Sequence, residues 1–219
     1  MSRVAKSPFL NIDSKDCLYL GRDVLVSVLR SEHIHALYPR AEVAAVLRAY
    51  RPWYEQTGAT PQLVAERLAW LSRMEPPAEF EALVQHRSSG IPLGFLSVAG
   101  LDPLNQKAEF SVAFFRGRGS RPALEAMHWS IESIFGTLNV QKLIFHVMPN
   151  NVDALYLLSR LSISVEARLI SEIRLAGGQR SDLLRFSLFR DAWVGGSCRE
   201  RLRRIVPLLP PVNETSTTS

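Results

Sequence analysis

The stretch Lys107-Ala-Glu-Phe-Ser-Val-Ala-Phe-Phe-Arg-Gly-Arg-Gly-Ser-Arg-Pro122 changes character twice. Up to Phe115 it alternates: Ala108, Phe110, Val112 and Phe114 share one side, and Glu109, Ser111, Ala113 and Phe115 share the other, the two-residue period of a strand. Then come Gly117 and Gly119 among Arg116, Arg118 and Arg121, followed by Pro122, which suits the first turn of a helix. Leu124, Met127, Ile131, Ile134 and Phe135 follow at helical spacing. Strand, basic glycine loop and helix thus stand in succession. A helix N-terminus presents unpaired N–H groups and a partial positive charge. Glycines let backbone amides approach an anion closely, and arginines add charge, so this loop fits a phosphate or pyrophosphate. The bland alternative is a solvated turn with incidental arginines, since short glycine-rich matches are common by chance.

Working outward, Lys142–Met148 reads as a strand, 151–161 as a short helix, and two long alternating segments meet at Ala176-Gly-Gly-Gln. Upstream, Phe80–Arg87 and Leu93–Ala99 form a hairpin around Ser88-Ser-Gly-Ile-Pro. The order from residue 80 is β-β-β-α-β-α-β-β, whose two crossover helices imply a mixed α/β sheet rather than a sandwich. Earlier still, Val24, Val26 and Val28 mark a strand within 23–30. Val43, Val46, Leu47 and Tyr50 mark one helix; Thr60 as N-cap, Pro61, Val64, Leu68 and Leu71 mark another. Between these helices lies a loop carrying Trp53 and Tyr54. The expected organisation is an extended lead-in over 1–22, a single domain over 23–190, and a flexible tail over 191–219. In that tail, 191–197 reads as a linker, Arg199–Arg204 as a basic run, and Pro207–Ser219 as a disordered end.

The 219 residues carry a formal charge of +5, with 47% hydrophobic and 21% charged residues, the balance of an ordinary globular domain. Cys17 and Cys198 share no metal-ligand spacing, so neither a disulfide-built nor a zinc-built fold is expected, and no metal is called for. No uncharged apolar run reaches about 18 residues, so no membrane span is expected. A secretory core is likewise missing from Met1–Asp13, and a cytoplasmic protein, monomer or homodimer, is the expectation. Ser/His/Asp elbows, zinc clusters and Rossmann fingerprints are not found in the sequence.

The loop resembles the Gln/Arg-x-x-Gly-x-Gly/Ala signature of the GNAT superfamily of acyl-CoA-dependent N-acyltransferases: Arg116, Gly117, Arg118 and Gly119 match it, whereas Arg121 replaces a small residue. A second family feature, Asn-x-x-Ala-x-x-Leu-Leu, is matched by Asn151, Ala154, Leu157 and Leu158. The strand opening Ala108-Glu109-Phe110-Ser111 is similar to branches acetylating ribosomal-protein N-termini, amino sugars or small amines. Two further departures stand out: a short stretch between Glu109 and Arg116, and Ser162-Ile163 in place of the family's Gly-Phe.

The resemblance implies a mostly antiparallel mixed sheet with one splayed parallel strand pair, formed by 107–115 and 142–148, and flanking helices. Acetyl-CoA or another acyl-CoA is the implied co-substrate, its pantetheine arm along Val112, Ala113 and Phe114 and its pyrophosphate on Arg116, Gly117, Arg118, Gly119, Ser120 and Arg121. Asn151 is placed near the splay, where it serves the cofactor or caps its helix. Direct attack by an amine needs a base, for which Glu109 is the candidate and His146 a second one. The family's tyrosine acid falls at Leu158; Tyr156, about 200° round the helix, is retained as a candidate although packing is its plainer role. Trp53 and Tyr54 are candidates for contact with a small-molecule or peptide amine. Two alternatives keep the fold: aminoacyl-tRNA as donor or acceptor, suited to the +5 charge and the arginines, and a non-catalytic binding protein with a degenerate loop.

Overall fold

The alternating segments assemble into one eight-stranded sheet. Its strands are β1 (Cys17–Leu20), β2 (Val24–Val28), β3 (Phe80–His86), β4 (Pro92–Asp102), β5 (Lys107–Phe114), β6 (Lys142–Val147), β7 (Val165–Arg174) and β8 (Arg180–Phe189), in the spatial order β1-β2-β3-β4-β5-β6-β8-β7. Five helices with bounds among the described residues accompany them: α1 (Ser31–Leu37), α2 (Arg121–Thr137), α3 (Val152–Arg160), α4 (Arg190–Val194) and α5 (Ser197–Ile205). The computed structural model describes residues 16–37, 62, 66, 79–175 and 178–210. The helix expected around 43–50, with Trp53 and Tyr54, lies outside the described residues, and of the one expected over 60–71 Gln62 and Glu66, both helical, are described.

Every strand pair is antiparallel except β5 with β6, which α2 connects. A parallel pair cannot be closed by a tight turn and needs such a crossover. The even-numbered side of β5 faces the core: Ala108 and Phe110 pack with Leu143, Phe145 and Val147 of β6 and with Ala126, Met127, Ile131 and Ile134 of α2. Phe110 meets Phe145 edge to face, centroids 5.9 Å apart. Each of the larger of these side chains, the alanines excepted, stabilises the fold by roughly 1.5–3 kcal/mol when fully buried. Glu109, Ser111 and Ala113 occupy the opposite side of β5, away from α2.

The N-terminal boundary lies earlier than the sequence reading put it. Cys17–Leu20, assigned there to a lead-in, is an edge strand of the sheet. It is held through Glu125 of α2, a buried carboxylate that accepts bonds from Tyr19 Oη (3.1 Å) and from the Arg22 and Asp23 amides (2.6 and 2.9 Å). Gly21 is required here, because a Cβ would collide with Glu125 Oε1. Burial pushes the Tyr19 phenol up to about 12, and its oxygen accepts the Leu209 amide, 3.2 Å away.

The C-terminal boundary also shifts. The residues taken as linker and flexible basic tail form α4 and α5, which bury Trp193, Cys198, Leu202 and Val206 in the main core. The basic run disguised this packing: Arg201, Arg203 and Arg204 lie on the outer side of α5, while Cys198 and Leu202, four apart, face inward. Arg199 grips both carboxylate oxygens of Glu132 on α2. Residues 211–219 lie outside the described residues.

At the end of α3, Ser162 occupies the position where the family has glycine, and its φ is +56°. The Ser162 and Ile163 amides reach back to the Ser159 and Leu158 carbonyls (3.0 and 2.9 Å), and Ile163 is buried, which completes a Schellman cap. A left-handed conformation costs a side-chain-bearing residue roughly 1–2 kcal/mol. Ser162→Gly should therefore stabilise the protein by about 1 kcal/mol, read as a raised denaturation midpoint with unchanged slope; a lowered midpoint would contradict the cap.

Two buried histidines contribute to the loss of stability on mild acidification. His33 and His128 both have their pKa lowered from 6.5, in each case chiefly by burial. His33 Nδ1 accepts the Arg30 amide (3.1 Å), which requires an unprotonated nitrogen, and His128 Nδ1 donates to the Val206 carbonyl (2.9 Å). The unfolded chain takes up these protons near the ordinary value, whereas the folded one resists. Their stabilisation is complete above pH 6.5 and is lost as pH falls from there toward the folded values. The unfolding temperature should fall between about pH 7 and 5.5, and a His33→Gln/His128→Gln double variant should show a flatter profile.

Candidate active site

The parallel pair is short. β5 is registered with β6 at Lys107↔Lys142, Ala108↔Leu143 and Glu109↔Ile144, and there the ladder ends. On its other side β5 stays paired with β4 as far as Phe114, where Gly94 lies opposite. β6 in turn continues alongside β8 to Val147↔Leu184. The two strands therefore separate after Glu109 while each remains anchored to its outer neighbour. Main-chain groups lining such a gap require partners, and an extended amide-bearing chain can supply them as an added strand.

At the open end of the gap stands the glycine loop. Gly117 and Gly119 have φ values of +62° and +68°, the left-handed region that glycine adopts without cost. A Cβ at Gly119 would meet nothing within 4 Å, so the loop presents open backbone at that point. Ser120 is the N-cap of α2, yet its side chain makes no capping bond, and its Oγ is shielded from water with no partner among the described residues. No acidic residue stands in the first turn of this 17-residue helix. Orphaned hydroxyl, uncapped N–H groups and missing carboxylates together fit a pyrophosphate.

The three loop arginines have separate surroundings. Arg121, whose bulk replaces a small residue, turns back to Asp23 (3.0 Å) and leaves the loop clear. Arg118 bridges the Phe114 carbonyl (2.9 Å) and Asp153 of α3 (3.2 Å), spanning the mouth between β5 and α3. Both of these bonds are exposed to competition from an incoming anion. Arg116 follows the strand, where the Leu93 carbonyl accepts its amide at 3.1 Å.

Where the strands part, the structure joins two residues that the sequence named separately. Glu109 Oε2 lies 3.2 Å from His146 Nδ1, although the pair is separated by the whole β5-α2-β6 unit. The other ring nitrogen of His146, Nε2, lies 3.1 Å from Arg185 Nε on β8, at the register His146↔Arg185. Arg185 escaped the sequence reading because nothing local marks it; only the β6–β8 register sets it beside His146. Glu109 and His146 are each partly accessible, with side-chain exposures of 35% and 20%.

Asn151 caps α3, its Oδ1 accepting the Ala154 amide at 3.3 Å. Tyr156 is neither gathered with Glu109 nor packed: it is 67% exposed, while Leu158 is the α3 residue turned into the core. Packing, the plainer role given to Tyr156 from sequence, is thereby corrected, because α3 rests on the sheet by its Leu158 side and carries Val152 and Tyr156 outward.

A family model described as an acetyltransferase (GNAT) domain matches residues 23–162. The chain belongs to the GNAT acetyltransferase family. This GNAT protein is accordingly an acyltransferase, moving an acyl group from acyl-CoA to an amine. Its fold is shared by a spermidine N-acetyltransferase from Vibrio cholerae solved with CoA and spermine, at 16% identity and a TM-score of 0.66, covering 78% of this chain and 98% of that one. A spermidine/spermine N-acetyltransferase from Vibrio cholerae with manganese ions is similar at 17% identity, TM-score 0.63, over 79% and 96% of the two chains. A protein from T. thermophilus described as an acetyltransferase gives 22% identity, TM-score 0.63, over 85% and 95%. No curated protein matches the chain at a significant level. The two alternatives weighed from the sequence gain no support, and Arg121, one of the arginines that suited the first of them, is turned aside to Asp23.

Gly119 offers a test of the loop. Its open surroundings let a larger side chain enter at roughly the 1 kcal/mol cost of a left-handed non-glycine residue, so variants should fold. Gly119→Ala should retain most affinity for acetyl-CoA, whereas Gly119→Glu, which sets a carboxylate against the phosphates, should abolish binding measured by isothermal titration. Equal affinities in the two variants would remove the loop from the cofactor site.

Proposed function

We propose that this GNAT protein transfers an acetyl group from acetyl-CoA to the primary amine of a small molecule or peptide, with Glu109 as the base. The observation that carries the reading is the position of Glu109: last residue of the β5–β6 ladder, its carboxylate at the point where the strands open. Acetyl-CoA supplies an acyl group already activated as a thioester. The chain's task is orientation and proton removal, since an ammonium cannot attack until it loses a proton.

The pyrophosphate would rest on residues 116–120 and the first amides of α2, with Ser120 Oγ as an added donor. Val112, Ala113 and Phe114 would offer main-chain groups to the pantetheine arm along the gap. That path brings the arm's thiol end toward Glu109, which draws the proton from the amine through a direct contact or one water. Asn151 serves as the α3 cap that positions the wall opposite the loop. No side chain at the expected tyrosine position supplies a proton to the departing thiolate, because Leu158 stands there in the core; solvent fills that role. The acceptor belongs to the amines, the class named for the Vibrio cholerae proteins that share the fold.

Titration with acetyl-CoA at low salt tests donor binding, and a panel of primary amines tests transfer. Glu109→Gln should leave acetyl-CoA affinity within about twofold and lower turnover by about a hundredfold, the usual contribution of a positioned base. Full turnover of Glu109→Gln across about pH 6–9 would assign the proton to water and remove Glu109 from the mechanism.

A further inference from the structure

We infer that Arg185 is the positioning residue of this site: by donating to His146 Nε2, it fixes that ring in the Nδ1–H form, which then holds the Glu109 carboxylate at the strand opening. The argument is one of donor and acceptor inventory. A guanidinium is charged at all working pH values and can only donate. With Arg185 Nε 3.1 Å from His146 Nε2, that nitrogen must therefore be the ring's acceptor and carries no proton. A neutral imidazole has one N–H, so it sits on Nδ1, which lies 3.2 Å from Glu109 Oε2. The chain Arg185→His146→Glu109 thus runs in one direction, each link fixed by the one before.

The consequence divides the two oxygens of Glu109. Oε2 is committed to His146, and the proton-accepting task falls to Oε1. It also removes His146 as a base, since both nitrogens are engaged. The charged groups bonded to the ring are Glu109 from β5 and Arg185 from β8, and on β7 the register sets Ala167 opposite Arg185. This inference rests on Glu109 acting as the base, but its structural content is readable without any reaction.

The test uses the full chain with nitrogen-15-labelled histidine, His146 being assigned by the loss of its signals in His146→Gln. In ligand-free wild type at about pH 7.5, where an ordinary imidazole is neutral, Nδ1 should appear protonated and Nε2 bare. Arg185→Met, which keeps the stem and removes every donor, should move the proton to Nε2 or add a second one. The same variant should lower kcat by about tenfold with the KM for acetyl-CoA unchanged, and Arg185→Lys should restore part of the loss. A protonated Nε2 in wild type would overturn the inference, as would an unaltered ring in Arg185→Met. Should Arg185→Met not fold, Arg185→Gln carries the same comparison of ring protons and kcat against wild type. A bare Nε2 in a protein whose Glu109→Gln variant is fully active would keep Arg185 as the residue that orders the ring and discard Glu109 as base, so the two readings fail separately.

Discussion

The ladder between β5 and β6 stops at Glu109, and the site depends on that stop. Parallel strands joined by a helix have no turn to hold them together, so their pairing lasts only as long as register and twist permit. Here each strand is secured elsewhere: β5 by β4 up to Phe114, and β6 by β8 up to Val147. A gap can therefore open in the middle of an eight-stranded sheet without loosening it. What opens is a slot lined by main-chain groups on one strand, with the basic glycine loop at one end and a carboxylate at the other.

Keeping that slot open places a demand on α2, which must hold its N-terminus at the loop while its far side bears on the rest of the protein. Glu125 serves this by taking three donors from the β1–β2 region, and Glu132 by taking the Arg199 fork from α5. Both are carboxylates in largely buried settings, where a satisfied charge is worth keeping and an unsatisfied one is strongly destabilising. The end of the chain shares in the arrangement, because Leu209 bonds to the same Tyr19 oxygen that binds Glu125. The helix that presents the loop is thus tied to both ends of the described chain.

Much of this was legible beforehand, and the exceptions have physical causes. The strand, loop and helix over 107–137 were readable because period-2 and period-3.6 patterns record which face of each element is buried. Gly117 and Gly119 were readable because few other residues tolerate the turn. Arg199–Arg204 misled, since charge density suggested a solvated tail, whereas Cys198 and Leu202 make a narrow buried stripe that arginines conceal. Ser162 misled in the opposite direction: it departs from the family glycine, yet it adopts the glycine's backbone. At Arg121 the sequence showed only bulk in place of a small residue, and its direction is set by Asp23, far away in the chain, which draws the guanidinium aside.

The sequence by itself determined the elements between residues 80 and 189, their order and the mixed character of the sheet, since each is a property of neighbouring residues. It also held Glu109 and His146 as separate candidates on separate strands. Only the tertiary structure joined them, added Arg185 and assigned the ring its proton. Contacts of that kind are set by strand register, and a shift of one residue in β6 or β8 would turn His146 or Arg185 to the other face. Register is decided by the whole sheet and its packing against α2, which is why no local pattern could announce it.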